Sequence, residues 1–144
     1  CTGNICRSPI AEGLAPVKGA ALGLTVHSKS AGTLGLQNKQ ADPKSVKVCK
    51  ELDIDISQHR SQGLSSELVE WATYILVMER RHARHLRQHF PETQNKILEL
   101  GSFGGMAEVP DPIGGWTFKF RKCRKQIDRC LTGFLSQIQQ RQRR

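Results

Sequence analysis

The sequence predicts an α/β fold, a doubly wound parallel sheet with helices on both faces, on three observations. Short apolar runs of strand length alternate with longer segments of helical period, the pattern of parallel strands joined by helices. A glycine-containing turn at residues 1–9 opens directly into the first helical segment, which puts a loop at the carboxyl edge of such a sheet. The 144 residues, 38% of them hydrophobic, suffice for one core, and no repeat or low-complexity linker divides them. One domain over residues 1–144 is therefore expected.

Taken in order, residues 9–22 form a helix opened by Pro9, whose missing N–H fits a first helical turn. Residues 24–30 follow as a strand, residues 43–52 as a helix beginning at Pro43, and residues 67–71 as a short helix. Tyr74-Ile75-Leu76-Val77-Met78 is an uninterrupted apolar run and reads as a buried strand. Residues 79–89 are helical and residues 96–100 a strand. Residues 117–140 form a long closing helix, in which Phe120, Ile127, Leu131, Phe134 and Ile138 recur at helical spacing.

Cys1-Thr2-Gly3-Asn4-Ile5-Cys6-Arg7-Ser8-Pro9 has the composition of a phosphate cradle. A phosphate monoester needs donors on several oxygens at once. The N–H groups of a tight loop at a helix N-terminus provide them, helped by the positive end of the helix dipole. Gly3 permits a close approach or a positive φ, and Asn4 tolerates a left-handed conformation. Arg7 grips two oxygens with its planar fork. The same field acts on Cys1: a thiol of ordinary pKa about 8.5 becomes a thiolate beside an arginine and a helix N-terminus, and Ser8 is placed to hydrogen-bond the sulfur. A second Cys-to-Arg spacing, Cys123 to Arg129, encloses no glycine and sits in a helical stretch, so it forms no such loop.

Cys1 to Pro9 resembles the signature of the low-molecular-weight protein tyrosine phosphatases, most closely the bacterial ones. Ser30-Ala31-Gly32, Asp42-Pro43, His59-Arg60-Ser61, the apolar run at Tyr74 and Pro110-Asp111-Pro112 stand in that family's order. The resemblance implies a phosphotyrosine hydrolase with Cys1 as nucleophile, Arg7 as phosphate clamp and Asp111 as general acid and base. Thr2, Gly3, Asn4, Ile5, Cys6 and Ser8 complete the phosphate-binding loop. Phenolate is a poor leaving group because its conjugate acid has a pKa of about 10, so an acid is needed at neutral pH. Asp111 lies in a loop shaped by two prolines and two glycines, exposed enough to hang over the cradle. The expected reaction proceeds through a cysteinyl-phosphate, with no metal or cofactor.

Further expectations follow from the resemblance. Ser30 and His59 join Asn4 in a polar network that fixes the loop. Cys6, beside Arg7 in the loop, has two readings: a disulfide with Cys1 under oxidation, which shields the nucleophile, or a small buried thiol. The family carries a short apolar strand immediately before the nucleophile. This chain begins at the nucleophile, so its sheet is expected to lack that first strand. Leu36 and Ile113 stand where aromatic walls are common, giving the phosphotyrosine ring aliphatic neighbours. Asp111-Pro112-Ile113-Gly114-Gly115 is also similar to the protein arginine phosphatases of this fold, although those carry a threonine where Ile5 stands.

Arsenate reductases of the same fold shuttle a disulfide through further cysteines. Here Cys123 and Cys130 are separated by about 10 Å along one helix, too far to bridge, and Cys49 also sits in a helical stretch. An N-terminal cysteine is also the nucleophile of self-processed amidohydrolases, a reading that leaves the anion-binding residues unexplained. Charge suggests another class. From Thr117 onward, Lys119, Arg121, Lys122, Arg124, Lys125, Arg129, Arg141, Arg143 and Arg144 face Asp128 alone, supplying eight of the chain's nine net positive charges. A nucleic-acid-binding module would use such a stripe. The apolar period of the same segment favours a closing helix with a solvated basic face, which guides acidic phosphoproteins. The partner expected is a phosphotyrosine protein, with bacterial tyrosine kinases as candidates. No nucleic acid and no membrane insertion are expected, and the free-thiol chemistry points to the cytoplasm.

Overall fold

The computed structural model describes residues 2–142. Helix α1 spans Arg7–Ala21, so it starts inside the cradle rather than at Pro9. Pro16 lies within it and offers no N–H to the carbonyl of Glu12, four residues back. The Ser28 hydroxyl donates to that carbonyl instead, at 2.7 Å, which ties the segment after the helix onto it.

Helix α2 (Pro43–Lys50) is capped by Asp42, whose carboxylate accepts the Lys44 N–H at 2.9 Å, and α3 (Ser66–Trp71) by Ser65, which accepts from Leu68 N–H at 3.1 Å. Strand β1 (Ile75–Val77), helix α4 (Arg80–His89) and strand β2 (Ile97–Glu99) form a βαβ unit. The strands pair in parallel with Ile75 opposite Ile97 and Val77 opposite Glu99. Two 3-10 turns, Pro91–Lys96 and Leu100–Gly104, flank β2, and α5 (Thr117–Gln142) closes the molecule.

The sheet is covered on both faces. Leu76 faces a cluster built from Ile10, Leu14, Val48, Phe120, Ile127 and Leu131 of α1, α2 and α5. Ile75 and Val77 face Val69, Ala83 and Leu86 of α3 and α4. Helix α5 buries Phe120, Ile127, Leu131 and Phe134 of the predicted stripe and leaves Ile138 half-buried, and Arg121 and Arg124 of its basic set are paired with Glu51 at 2.6 and 2.8 Å.

One predicted element does not form. Residues 24–30 are not a strand, because among the described residues no segment runs alongside them to complete a ladder. A cavity of about 600 Å³ separates them from β1, lined by Leu24, Val26 and Ser28 on one side and by Ile75 and Val77 on the other. The sheet among the described residues therefore has two strands.

Candidate active site

Asn4 sets the shape of the cradle. Its backbone takes φ 59°, and its side chain is 0% exposed. Nδ2 donates to Ser8 Oγ and to Ser30 Oγ, both at 2.8 Å, while Oδ1 accepts the Gln62 N–H at 3.0 Å. The Asn4 carbonyl takes a hydrogen bond from His59 Nε2 at 2.8 Å.

This network continues into α1. Ser30 Oγ donates to Glu12 Oε1 at 2.6 Å, and Glu12 Oε2 lies 3.7 Å from His59 Nδ1. Burial pushes the His59 pKa down, but the Glu12 carboxylate and the Asn4 carbonyl outweigh it, and the net shift is upward. For Glu12, burial is outweighed by His59 and Ser30, and its pKa falls. The Glu12 carboxylate and the His59 ring thus hold the cradle from beneath.

The loop backbone is fixed from three sides. The Thr2 carbonyl accepts Leu34 N–H at 2.9 Å, the Ile5 carbonyl accepts Asp42 N–H at 2.8 Å, and the Cys6 carbonyl accepts Ser45 Oγ at 3.1 Å. Gly32 packs flat against the loop: a Cβ there would stand 2.6 Å from the Thr2 carbonyl oxygen and 2.9 Å from Asn4 N. Leu36 Cδ1 lies 3.6 Å from the Cβ position of Gly3, so Leu36 does border the loop. Ile113 is 58% exposed.

Arg7 is 1% exposed, and its guanidinium is held by three acceptors. Nη1 donates to the Val109 carbonyl at 2.8 Å, and Nη2 approaches Glu79 Oε2 at 2.6 Å and Asp111 Oδ2 at 3.4 Å. One residue thus touches both the loop that carries the expected acid and the start of α4. The Asp111 loop is itself tied down: Val109 N–H donates to the Met78 carbonyl at 3.0 Å, Ile113 N–H to Asp111 Oδ1 at 3.1 Å, and Lys44 Nζ to the Gly115 carbonyl at 2.8 Å. The Asp111 carboxylate remains 32% exposed, open to a ligand.

The start of α4 closes the remaining side. Burial raises the Glu79 pKa, but Arg81 and Arg7 outweigh it and hold the carboxyl at about 2. His82 Nδ1 accepts the Glu79 N–H at 3.2 Å, which leaves Nε2 to donate to Thr2 Oγ1 at 2.9 Å. Burial and the neighbouring cations lower the His82 pKa to about 3, so this ring is neutral. Arg81 Nη2 donates to the same threonine hydroxyl at 2.6 Å.

Cys1, and with it the expected nucleophile and the Cys1–Cys6 disulfide, lies outside the described residues, as do Arg143 and Arg144. Cys6, Cys49, Cys123 and Cys130 are free and buried. Burial pushes the Cys6 and Cys123 thiols up to about 12 and Cys49 to about 11, values that disfavour thiol exchange at neutral pH.

The low molecular weight phosphotyrosine protein phosphatase family has a sequence model that matches residues 1–144. The low molecular weight protein-tyrosine-phosphatase Ptp of Acinetobacter johnsonii is 39% identical over 138 residues, 96% of this chain and 94% of that protein. The protein-arginine-phosphatase of Geobacillus stearothermophilus is 33% identical over 144 residues, 99% of this chain and 95% of that protein. A solved low molecular weight protein tyrosine phosphatase from T. tengcongensis superposes with TM-score 0.89 at 35% identity, covering 95% of each chain. The fold is that of the low molecular weight protein tyrosine phosphatases. The chain belongs to the low molecular weight phosphotyrosine protein phosphatase family.

Among the described residues, Thr2, Gly3, Asn4, Ile5, Cys6, Arg7 and Ser8 form one loop, with Ser30, His59, Leu36 and Asp111 around it. Sequence reasoning missed Glu12, Gln62, Glu79 and His82, and had Gly32 only as a landmark without a role. Glu12 had a signal: it lies four residues after Ser8, on the same helical face, where a carboxylate requires a partner. The others reach the loop from distant segments.

Proposed function

We propose that this chain hydrolyses phosphotyrosine in proteins, with Cys1, Arg7 and Asp111 as its catalytic residues. The observation that carries the reading is Arg7: a fully buried guanidinium held at the loop, with Asp111 3.4 Å from Nη2. An arginine fork beside a loop at a helix N-terminus suits a phosphate dianion.

In the first step the Cys1 thiolate attacks phosphorus in line, and the bond to the tyrosyl oxygen breaks as Asp111 protonates that oxygen. Arg7 and the loop N–H groups hold the equatorial oxygens throughout. In the second step Asp111 takes a proton from water, which attacks phosphorus and expels the thiolate. Glu79 and the Val109 carbonyl orient Arg7; Asn4, Ser30, His59 and Glu12 keep the loop in shape. Leu36 and Ile113 flank the ring. The substrates are phosphotyrosine proteins, a bacterial tyrosine kinase among the candidates, and the setting is cytoplasmic.

Phosphoarginine is the second reading, favoured by the arginine phosphatase relative and by Ile113-Gly114-Gly115. The test is hydrolysis of matched phosphotyrosine and phosphoarginine peptides in reductant and chelator. The reading expects turnover of the phosphotyrosine peptide and none by Cys1→Ser. Turnover of phosphoarginine alone transfers the assignment to the second reading, and turnover of neither by folded protein refutes both.

A further inference from the structure

We infer that the exposed face of α4 is a docking surface for anionic side chains, carboxylate or phosphate, that flank the phosphoresidue in a protein substrate. The inference deepens the phosphatase reading and rests on it.

Helix α4 begins at the cradle, where Glu79 holds Arg7 at 2.6 Å and Arg81 donates to Thr2 Oγ1 at 2.6 Å. From there it runs outward as Arg80–His89. Arg80, Arg84 and Arg87 fall at i, i+4 and i+7, so they share one face, and all three are exposed, as is Arg81. With Ala83 and Glu99 they line a concavity of about 410 Å³.

The acids on this side do not neutralise Arg84 and Arg87. Glu79 is engaged by Arg7 and Arg81, and Glu108 Oε2 accepts the Arg80 backbone N–H at 2.7 Å. Glu99 Oε1 forms an ion pair with Arg80 Nε at 3.7 Å, which occupies Arg80 and leaves Arg84 and Arg87 as the open members of the row. Among the described residues, no carboxylate pairs with Arg84 or Arg87. Like charges at this spacing repel one another, and the α4 face is solvated rather than packed. Arginine, rather than lysine, suits planar or tetrahedral anions because its fork binds them bidentately.

Geometry sets the reach. Arg87 lies about 9 Å beyond Arg81 along the helix axis, while an extended peptide advances about 3.3 Å per residue. An anion about three to five residues from the phosphotyrosine therefore meets the row while the phosphate sits in the cradle.

The test compares phosphotyrosine peptides carrying alanines, glutamates or a second phosphotyrosine at those offsets, on either side. Each is measured for kcat and KM, and by fluorescence anisotropy for binding, at low and high salt. The expected result is a KM lower by about fivefold for the anionic peptides at low salt, with kcat little changed and the gain lost at high salt. In Arg84→Ala/Arg87→Ala the ratio of anionic to alanine peptide should fall to about one, whereas Lys122→Ala/Lys125→Ala on α5, which removes equal charge elsewhere, should keep it. A preference retained in the arginine variant, or lost equally in both variants, overturns the inference, as does no preference in the unmodified chain. If glutamate peptides gain and doubly phosphorylated ones do not, or the reverse, the flanking anion is identified as carboxylate or phosphate. Absence of turnover with every peptide refutes the phosphatase reading instead, and the anisotropy ratios then decide the docking surface alone.

Discussion

Asn4 combines a left-handed backbone with three side-chain hydrogen bonds in a site closed to solvent. Alanine there loses all three, leaves the Gln62 N–H buried without its partner and still has to hold φ near 59°. Asn4→Ala should lower the unfolding free energy by about 2–4 kcal/mol in denaturant titration, and kcat/KM by roughly 100-fold through loss of loop shape. In the proposed mechanism Asp111 acts on the leaving group. Asp111→Asn should cut kcat on phosphotyrosine peptides by about 10²–10⁴. An aryl phosphate whose phenol is already acidic should lose much less, and an equal loss on both substrates would remove Asp111 from the acid role. At this scale the turn before α1 was legible because Gly3 and a left-handed Asn4 in close sequence allow a tight loop there. Glu79 and Gln62 were not, because their role comes from segments folded against Arg7 and Asn4 from far along the chain.

Elements with their own end signals were readable. Asp42-Pro43 marks the start of α2, and the apolar stripe of α5 is buried through Phe134 as its period requires. Residues 24–30 have strand composition but no ladder neighbour, and composition reports side-chain fit rather than pairing. Gly32 is the point of closest approach between two segments of the site, since its backbone lies directly on the cradle backbone. Gly32→Ala should force the Thr2 carbonyl and Asn4 N apart and weaken inhibition by vanadate at least about tenfold, with far-UV helix content retained. Unchanged vanadate affinity would show that the two segments part without cost. In the core, Leu14 is 0% exposed, and Leu14→Ala should cost about 2–5 kcal/mol of stability.

Across the whole molecule, two histidines with opposite shifts make stability depend on pH. His82 is lowered to about 3, so between that value and the ordinary 6.5 the unfolded chain binds more protons than the folded one. Stability from His82 is therefore lost as pH falls below 6.5. His59 is raised, so its contribution is present below 6.5 and lost as pH rises through its folded value; Glu12, lowered, contributes above 4.5 and loses it as pH falls. The Glu12–His59 pair is at full strength between those two ordinary values. His82→Gln should reduce the stability lost between about pH 7 and about pH 5 by about 2 kcal/mol, while His59→Gln should make the loss larger. Parallel slopes for all three proteins would contradict these shifts. The fold class was legible at this scale because alternation of strand and helix leaves few arrangements. The number of paired strands was not, since pairing depends on which chain lies beside which.

The central claim is a covalent phosphoryl intermediate on Cys1 in the cradle shaped by Asn4 and gripped by Arg7. It is tested most directly by mixing the protein with a radiolabelled phosphotyrosine peptide, quenching in acid within one turnover, and mapping the label by mass spectrometry. The account predicts label on Cys1, accumulating to a higher level in Asp111→Asn with an acidic aryl phosphate, and none in Cys1→Ser. Phosphate release with no labelled protein at any quench time would contradict it.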